Sequence, residues 1–155
     1  MKMLFKKVLI AFDGSESSKR ALGYAADIAS GSNAVLTVLT VVPRLYYPLY
    51  PEDGFMPSVR SGPADYDYET RMREIYKASL DAAVADLRKR YESLDVVPAL
   101  IEGRPGNAIV EEAEKRGVDL IVIGSRGLGG VTGWILGSTS RHVAEHCTKP
   151  VLVIK

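Results

Sequence analysis

The chain of 155 residues contains a single cysteine, Cys147, so no disulfide can form within it. This fits a reducing compartment. An excess of charge of one sign is also missing, because 20 Lys and Arg residues stand against 19 Asp and Glu residues, for a net charge of +1. The balance gives no reason to expect nucleic acid or an anionic membrane surface as a partner.

Long apolar runs are absent as well. The longest, Ala34–Val42, includes two threonines and falls short of the roughly 20 residues that span a bilayer. The first apolar run stops at Asp13 and is shorter than the roughly 7–15 residues of a signal-peptide core. Because 46% of the residues are hydrophobic and 25% charged, we expect one globular domain over residues 1–155, in the cytoplasm.

Short apolar runs alternate regularly with helical patterns. The runs are apolar throughout, as in parallel strands that are covered on both faces. They predict an α/β fold, a single doubly wound, Rossmann-like sheet of five parallel strands with helices on both faces. The predicted strands are Lys7–Phe12, Ala34–Val42, Asp95–Ile101, Asp119–Gly124 and Val151–Ile154. The predicted helices run from Ser15 or Ser17 to Gly31 and over about 66–93, 105–117 and 138–147.

Residues 43–65 interrupt this alternation with five prolines. A loop of this length inside a compact domain is usually a functional lid or a mobile segment. Its tyrosines, Tyr46, Tyr47 and Tyr50, either cover a ligand or pack as part of a partner surface. The sequence does not decide between these two roles.

The segment after the fourth strand is rich in glycine, with six glycines in the fourteen residues from Gly124 to Gly137. Glycine lets backbone N–H groups approach a ligand closely, and the N-terminus of a following helix attracts phosphate. Hydroxyl and guanidinium donors stand nearby at Ser138, Thr139, Ser140 and Arg126. The segment therefore predicts a phosphate site, with a flexible loop and a serine N-cap as the alternative.

Two common phosphate motifs do not match this loop. Gly130 stands where a Walker loop needs lysine, and Thr132 stands where a dinucleotide fingerprint needs its third glycine. The spacing Gly124-x2-Gly127-x9-Gly137-Ser138 instead resembles the nucleotide-binding signature of the universal stress protein family, in its ATP-binding branch.

The resemblance extends over most of the chain outside residues 43–65. It includes Lys7–Ser15, Gly103-x-Pro105-x3-Ile109, Val118–Gly124 and Pro150–Ile154. The resemblance implies a sheet of order 3-2-1-4-5 and a homodimer built through the last strand. It also implies a bound adenine nucleotide, which is ATP, AMP or another adenine nucleotide such as a cyclic one. A divalent metal such as Mg beside the phosphates is a second role open to Asp13.

Carried over position by position, the resemblance implies a set of nucleotide-binding residues. Asp13 would face the ribose or adenine, although an Asp before Gly also serves as a turn former or helix cap. The backbone of Val41 would meet the adenine. One side of the phosphates would be lined by Gly124, Arg126 and Gly127, and the other by Gly137, Ser138, Thr139 and Ser140. Ala11, Phe12 and Ile123, at the ends of the first and fourth strands, complete the set.

Three further features carry weaker signals. His142 and His146 lie within a His-x-x-Glu-His string of inverted zinc peptidases, but the third zinc ligand is missing, so we expect no metal site. Trp134–Leu136 is an apolar patch that we expect to pack against the domain or a dimer mate. Cys147 lies late in a helix, where we expect it to pack.

The resemblance favours a stress-response regulatory protein that binds ATP and acts as a nucleotide-dependent homodimeric switch, with at most slow ATP hydrolysis. We assign no catalytic residue. One alternative is an enzyme that turns over ATP rapidly, which needs a base or a water-orienting group beside the γ-phosphate. The other is an interaction module that binds no nucleotide.

Overall fold

The computed structural model describes residues 4–44, 63–127 and 135–155. Its strands are β1 Lys7–Ala11, β2 Val35–Pro43, β3 Val96–Gly103, β4 Leu120–Gly124 and β5 Val151–Ile154. Its helices are α1 Glu16–Ser32, α2 Pro63–Arg90, α3 Pro105–Arg116 and α4 Ser138–His146. All strand pairs are parallel and the sheet order is β3-β2-β1-β4-β5, which confirms the predicted α/β fold and topology.

Side chains of the central strand enter two separate cores, one on each face of the sheet. Val8 and Ile10 pack in a core with α1 and α2, whereas Leu9 packs in a core with α3 and α4. All three side chains are fully buried. Burial on both faces explains why the strands carry uninterrupted apolar runs instead of alternating patterns.

Helix α1 begins and ends at recognisable caps. Ser15 is the N-cap, and its side chain accepts a hydrogen bond from the Ser18 N–H at 3.2 Å. The predicted end at Gly31 is wrong, because α1 continues to Ser32 and Asn33 adopts the left-handed conformation at φ 52°. Asn is one of the few non-glycine residues that tolerate this conformation.

Other boundaries differ from the sequence prediction by a few residues. Helix α2 begins at Pro63, a residue suited to a first helical turn, so residues 63–65 are not loop. Strand β3 extends to Gly103 because it pairs with Pro43, the last residue of β2. Helix α2 ends at Arg90, about three residues before its predicted end. Shifts of one residue occur at the ends of β1, β2, α3 and α4 and at the starts of β2, β3 and β4. Tyr46, Tyr47 and Tyr50 lie outside the described residues.

None of the helices in the described parts of the chain is long and apolar enough to cross a membrane.

Asp119 holds the amino-terminal end of β1 beside that of β4. Its carboxylate accepts the backbone N–H of Lys6 at 2.8 Å and that of Lys7 at 3.0 Å. The hydrogen bonds from Lys6 and then Lys7 lower the pKa of this carboxyl, because they stabilise its charged form. The ionised side chain therefore stabilises the folded chain.

We predict that Asp119→Asn lowers the free energy of unfolding at pH 7 by about 1 kcal/mol, since a neutral amide is a weaker acceptor than a carboxylate. A lowered folded-state pKa contributes stability above the unfolded-state pKa of about 4, and this contribution is lost as pH falls through the folded-state pKa. Urea unfolding from pH 7 to pH 3 should show the two proteins converging in acid.

Asp86→Asn is the matched control, because Asp86 forms only an exposed i,i+4 ion pair with Arg90 on α2. It should change stability by a few tenths of a kcal/mol at most. A difference between Asp119→Asn and wild type that stays constant across this pH range would contradict the assigned role of the charge.

Candidate functional site

A cavity of about 500 Å³ opens at the carboxyl-terminal edge of the sheet. It lies where β1 and β4 end side by side while their following helices, α1 and α4, pack on opposite faces. This is the topological switch point, where open α/β sheets bind ligands. All residues predicted for the site line this cavity: Ala11, Phe12, Asp13, Val41, Ile123, Gly124, Arg126, Gly127, Gly137, Ser138, Thr139 and Ser140. Their contact with a nucleotide stays a prediction.

The backbone of Val41 faces this cavity because β2 is longer than β1. The β1–β2 pairing ends at Ala11 and Leu39, and the Leu39 carbonyl accepts the N–H of Phe12 at 2.8 Å. Alternate residues of a strand direct their backbone groups to the same side, so those of Val41 also point toward β1. Since β1 has already ended there, the N–H and C=O of Val41 are directed at the cavity.

The end of β4 packs directly against the start of α1. A Cβ atom added to Gly124 would lie 2.4 Å from Ser17 Oγ and 2.8 Å from the Ser17 carbonyl carbon. The second of these is a backbone atom, so a side chain at position 124 requires the helix to move. Gly124 is thus needed for packing, whether or not a ligand is bound.

The N-cap of α1 and a serine in its first turn hold the chain that follows β4. Arg126 donates its backbone N–H to Ser17 Oγ at 3.4 Å, and Ser15 Oγ donates to the Arg126 carbonyl at 3.4 Å. Ser17 Oγ in turn donates to the carbonyl of Ile154 at 3.3 Å. The backbone of Arg126 is therefore fixed by α1, while its side chain is exposed at the rim of the cavity.

Helix α4 directs its N-terminus at the same cavity. The N-cap is Gly137, whose N–H donates to the Ser125 carbonyl at 2.8 Å. Ser138, Thr139 and Ser140 form the first turn, where backbone N–H groups lack intrahelical partners and suit an anion. The buried Ser140 hydroxyl lies 3.1 Å from the Ser125 carbonyl and 3.0 Å from that of Gly137, so its hydrogen is committed to the protein. Ser140 can offer a ligand its backbone N–H.

Asp13 shows the local role that its sequence context allows. Its Oδ1 accepts the Ser15 N–H at 2.9 Å, which makes it a turn former before α1. Its Oδ2 lies toward the other wall, because a Cβ added to Gly127 would be 3.2 Å from this oxygen. The half-buried carboxylate can therefore stabilise the turn and also face the cavity.

Tyr76 lines the cavity from α2 and is not among the residues predicted from the sequence. It stands at helical spacing from the core residues Leu80 and Leu87, and no sequence signal separates it from such packing residues. Burial, followed by the negative charge of Asp13, raises the pKa of the Tyr76 hydroxyl, so this group stays protonated. Apolar lining that was also missed comes from Leu39, Pro43, Pro105, Ile109, Ile135 and Leu136.

The two histidines of α4 stack on each other, with ring centroids 4.1 Å apart and planes 16° from parallel. The His142 ring lies against Gly106 at the start of α3, 2.8 Å from the position of an added Cβ. Within the described ranges, no group of three or more His, Cys, Asp or Glu side chains could hold a metal ion. Cys147 is partly buried and packs on the core beneath α3 and α4, as predicted. Trp134 lies outside the described residues.

The sequence model of the universal stress protein family matches residues 4–155. The chain belongs to this family. It is 30% identical to universal stress protein YxiE of Bacillus subtilis and 34% identical to a universal stress protein of Thermus aquaticus. Both alignments cover 98% of this chain and 100% of the relative.

Solved structures of the universal stress protein family have the same fold. UspA of Lactobacillus plantarum superposes with a TM-score of 0.80 at 23% identity, covering 99% of this chain and 100% of that one. A universal stress protein in complex with cAMP gives a TM-score of 0.65 at 29% identity, with 97% of both chains covered. The Archaeoglobus fulgidus protein in complex with dAMP gives 0.64 at 26% identity, covering 99% of this chain and 100% of that one.

We predict that Gly124→Ala lowers the free energy of unfolding by about 2–3 kcal/mol, since the new methyl group would overlap the backbone at the start of α1. Thermal or urea unfolding of the protein without ligand measures this directly. Gly23→Ala on α1 is the matched control, because an added Cβ there meets nothing within 4 Å. That control should be neutral or more stable by about 0.5–1 kcal/mol. Equal stability of Gly124→Ala and wild type would contradict the close approach.

Proposed function

We propose that this universal stress protein binds ATP in the cavity and acts as a nucleotide-dependent homodimeric switch, built from one domain and working in the cytoplasm. The observation that carries the proposal is the combination in one cavity of apolar walls, a carboxylate and a helix N-terminus. These three environments suit a base, a ribose and phosphates respectively.

The groups that line the cavity change from apolar, to a carboxylate, to backbone N–H donors. This order matches the base, the ribose and the phosphates of a nucleotide. Val41, Pro43 and Ile109 supply an apolar region at the end of β2, and the backbone of Val41 can hydrogen-bond a base. Asp13 lies at the end of β1. Gly127 and the first turn of α4 lie beyond it, where N–H groups can meet phosphates. The cAMP and dAMP complexes of structural neighbours support an adenine nucleotide as the ligand.

The same lining supports a switch over a fast hydrolase. Of the described residues that line the cavity, Asp13 is the one carboxylate and none is histidine. Rapid hydrolysis requires a group that orients or deprotonates the attacking water. Mg²⁺, which binds few protein ligands beside nucleotide phosphates, would be held by the phosphate oxygens and water, with Asp13 as the nearby carboxylate. We expect turnover below about 1 per second, the low end for ordinary enzymes.

Strand β5 supports the homodimer, because it lies at the edge of the sheet and its four apolar residues are all partly exposed. The carbonyls of Pro150 and Ile154 accept hydrogen bonds from the β4 side, from Ile121 and Ser125. Alternation along the strand then turns the backbone groups of Val151 and Val153 to the open edge. A second copy can pair there.

We predict that the wild-type protein binds ATP and that Asp13→Asn weakens binding by about tenfold, since a charge-assisted hydrogen bond becomes neutral. Asn keeps an oxygen for the Ser15 N–H, so the turn before α1 should persist. Isothermal titration calorimetry with ATP and Mg²⁺ measures both affinities. Gly127→Val adds a side chain beside the Asp13 carboxylate and should also weaken the binding of ATP.

Asp95→Asn is the control for the loss of one negative charge. Asp95 is exposed and lies just before β3, at the amino-terminal ends of the strands and therefore away from the cavity. Unchanged or tighter ATP binding by Asp13→Asn would mean that Asp13 only forms the turn. A wild-type protein that binds no ATP at millimolar concentration would overturn the proposed function and favour the interaction module.

We predict a solution mass of about twice the 16.9 kDa of one chain, and a monomer for Val153→Pro. Proline at this position removes an N–H from the open edge and leaves the hydrogen bonds to β4 in place. Light scattering after size exclusion measures the mass, and circular dichroism checks the fold. A folded Val153→Pro protein that is still dimeric would place the interface elsewhere.

A further inference from the structure

Helix α2 closes one side of the cavity and is held there at two points. Ser79 contacts the turn after β1, since a Cβ added to Gly14 would lie 3.0 Å from Ser79 Oγ. Arg73 pairs with Glu102 at the end of β3 at 2.6 Å. Tyr76 lies midway between these two contacts, three residues from each, and therefore on the same face of the helix.

Tyr76 brings a distinct chemical group to this wall. Among the described lining residues the aromatic side chains are Phe12 and Tyr76, and only the second carries a hydroxyl. Tyr91, just beyond the end of α2, shows a packing role by contrast, because its hydroxyl donates to Asp27 on α1 at 2.6 Å. Tyr76 faces a cavity that also contains the Asp13 carboxylate.

The two groups are complementary as a recognition pair. The ionised carboxylate of Asp13 only accepts hydrogen bonds, whereas a protonated phenol both donates and accepts. The phenol is protonated at neutral pH, because the ordinary pKa of tyrosine is about 10 and burial, followed by the charge of Asp13, raises the pKa of Tyr76 further. A pair of adjacent hydroxyl groups on a ligand can donate to the carboxylate and exchange a hydrogen bond with the phenol.

We infer that Tyr76 contacts the ligand and, together with Asp13, binds the vicinal hydroxyls of a ribose, so that the site favours ribonucleotides over deoxyribonucleotides. The inference rests on the proposed function, because it requires a nucleotide in this cavity. It assigns Tyr76 to specificity, and the phosphate-binding end of the cavity is not involved.

The test compares ATP, 2′-deoxy-ATP and 3′-deoxy-ATP by calorimetry on wild type and Tyr76→Phe. Wild type should bind ATP more tightly than either deoxy analogue, because each analogue lacks one of the two bound hydroxyls. Tyr76→Phe should weaken ATP by about three- to tenfold, the effect of one neutral hydrogen bond. One deoxy analogue lacks the hydroxyl that Tyr76 contacts, and Tyr76→Phe should bind that analogue as tightly as wild type does.

Tyr24→Phe is the matched control, since Tyr24 on α1 is 56% exposed and should bind all three ligands as wild type does. The melting temperatures of both variants check the fold. If Tyr76→Phe binds all three nucleotides like wild type, or weakens all three equally, the inference is wrong. Absence of ATP binding by wild type would instead reject the proposed function, so the two failures are distinguishable.

Discussion

The site depends on the close approach of β4 to the first turn of α1. Only a glycine at position 124 permits this approach, because the Ser17 backbone lies 2.8 Å from the place of a side-chain carbon. The contact brings Ser17 within hydrogen-bonding distance of the Arg126 N–H. It thereby places Gly127 beside Asp13. The pairing of β1 with β4 sets the two strand ends side by side, and this contact brings the chain that follows β4 against the turn that follows β1.

The same contact joins the cavity to the edge of the sheet. The carbonyl of Ile154, the last residue of β5, accepts two hydrogen bonds, one from the N–H of Ser125 at 2.7 Å and one from Ser17 Oγ at 3.3 Å. The carbonyl of Ser125 also accepts a hydrogen bond from the N–H of Gly137, the N-cap of α4, and so positions this helix. Arg126, at the rim of the cavity, and Ile154, at the end of β5, therefore share Ser17 as a hydrogen-bond partner. In the proposed homodimer these hydrogen bonds would connect the cavity to the strand on which the second copy pairs.

The sequence predicted the features that follow from local composition. Apolar runs predicted the strands, since both faces of each run are buried, and the spacing of Gly124, Gly127 and Gly137 pointed to the cavity. It could not predict features that depend on contacts distant in the chain. The inward position of Tyr76 on α2 follows from how that helix packs over Gly14. The internal hydrogen bonds of Ser140 follow from how α4 meets Ser125.

The signature glycines Gly124, Gly127 and Gly137 meet two physical requirements, close packing within the protein and room for a ligand. Their spacing in the sequence does not show which glycine meets which requirement. Gly124 and Gly137 are constrained by the protein itself, since added Cβ atoms would meet Ser17 at 2.4 Å and the Ser125 carbonyl at 3.3 Å. Only Gly127 borders a carboxylate that faces the cavity. An interaction module of the same fold would thus still need Gly124 for packing. Nucleotide binding, as proposed, therefore depends on Gly127, Asp13 and the N-terminus of α4, where the groups that a ligand needs are not already required for packing.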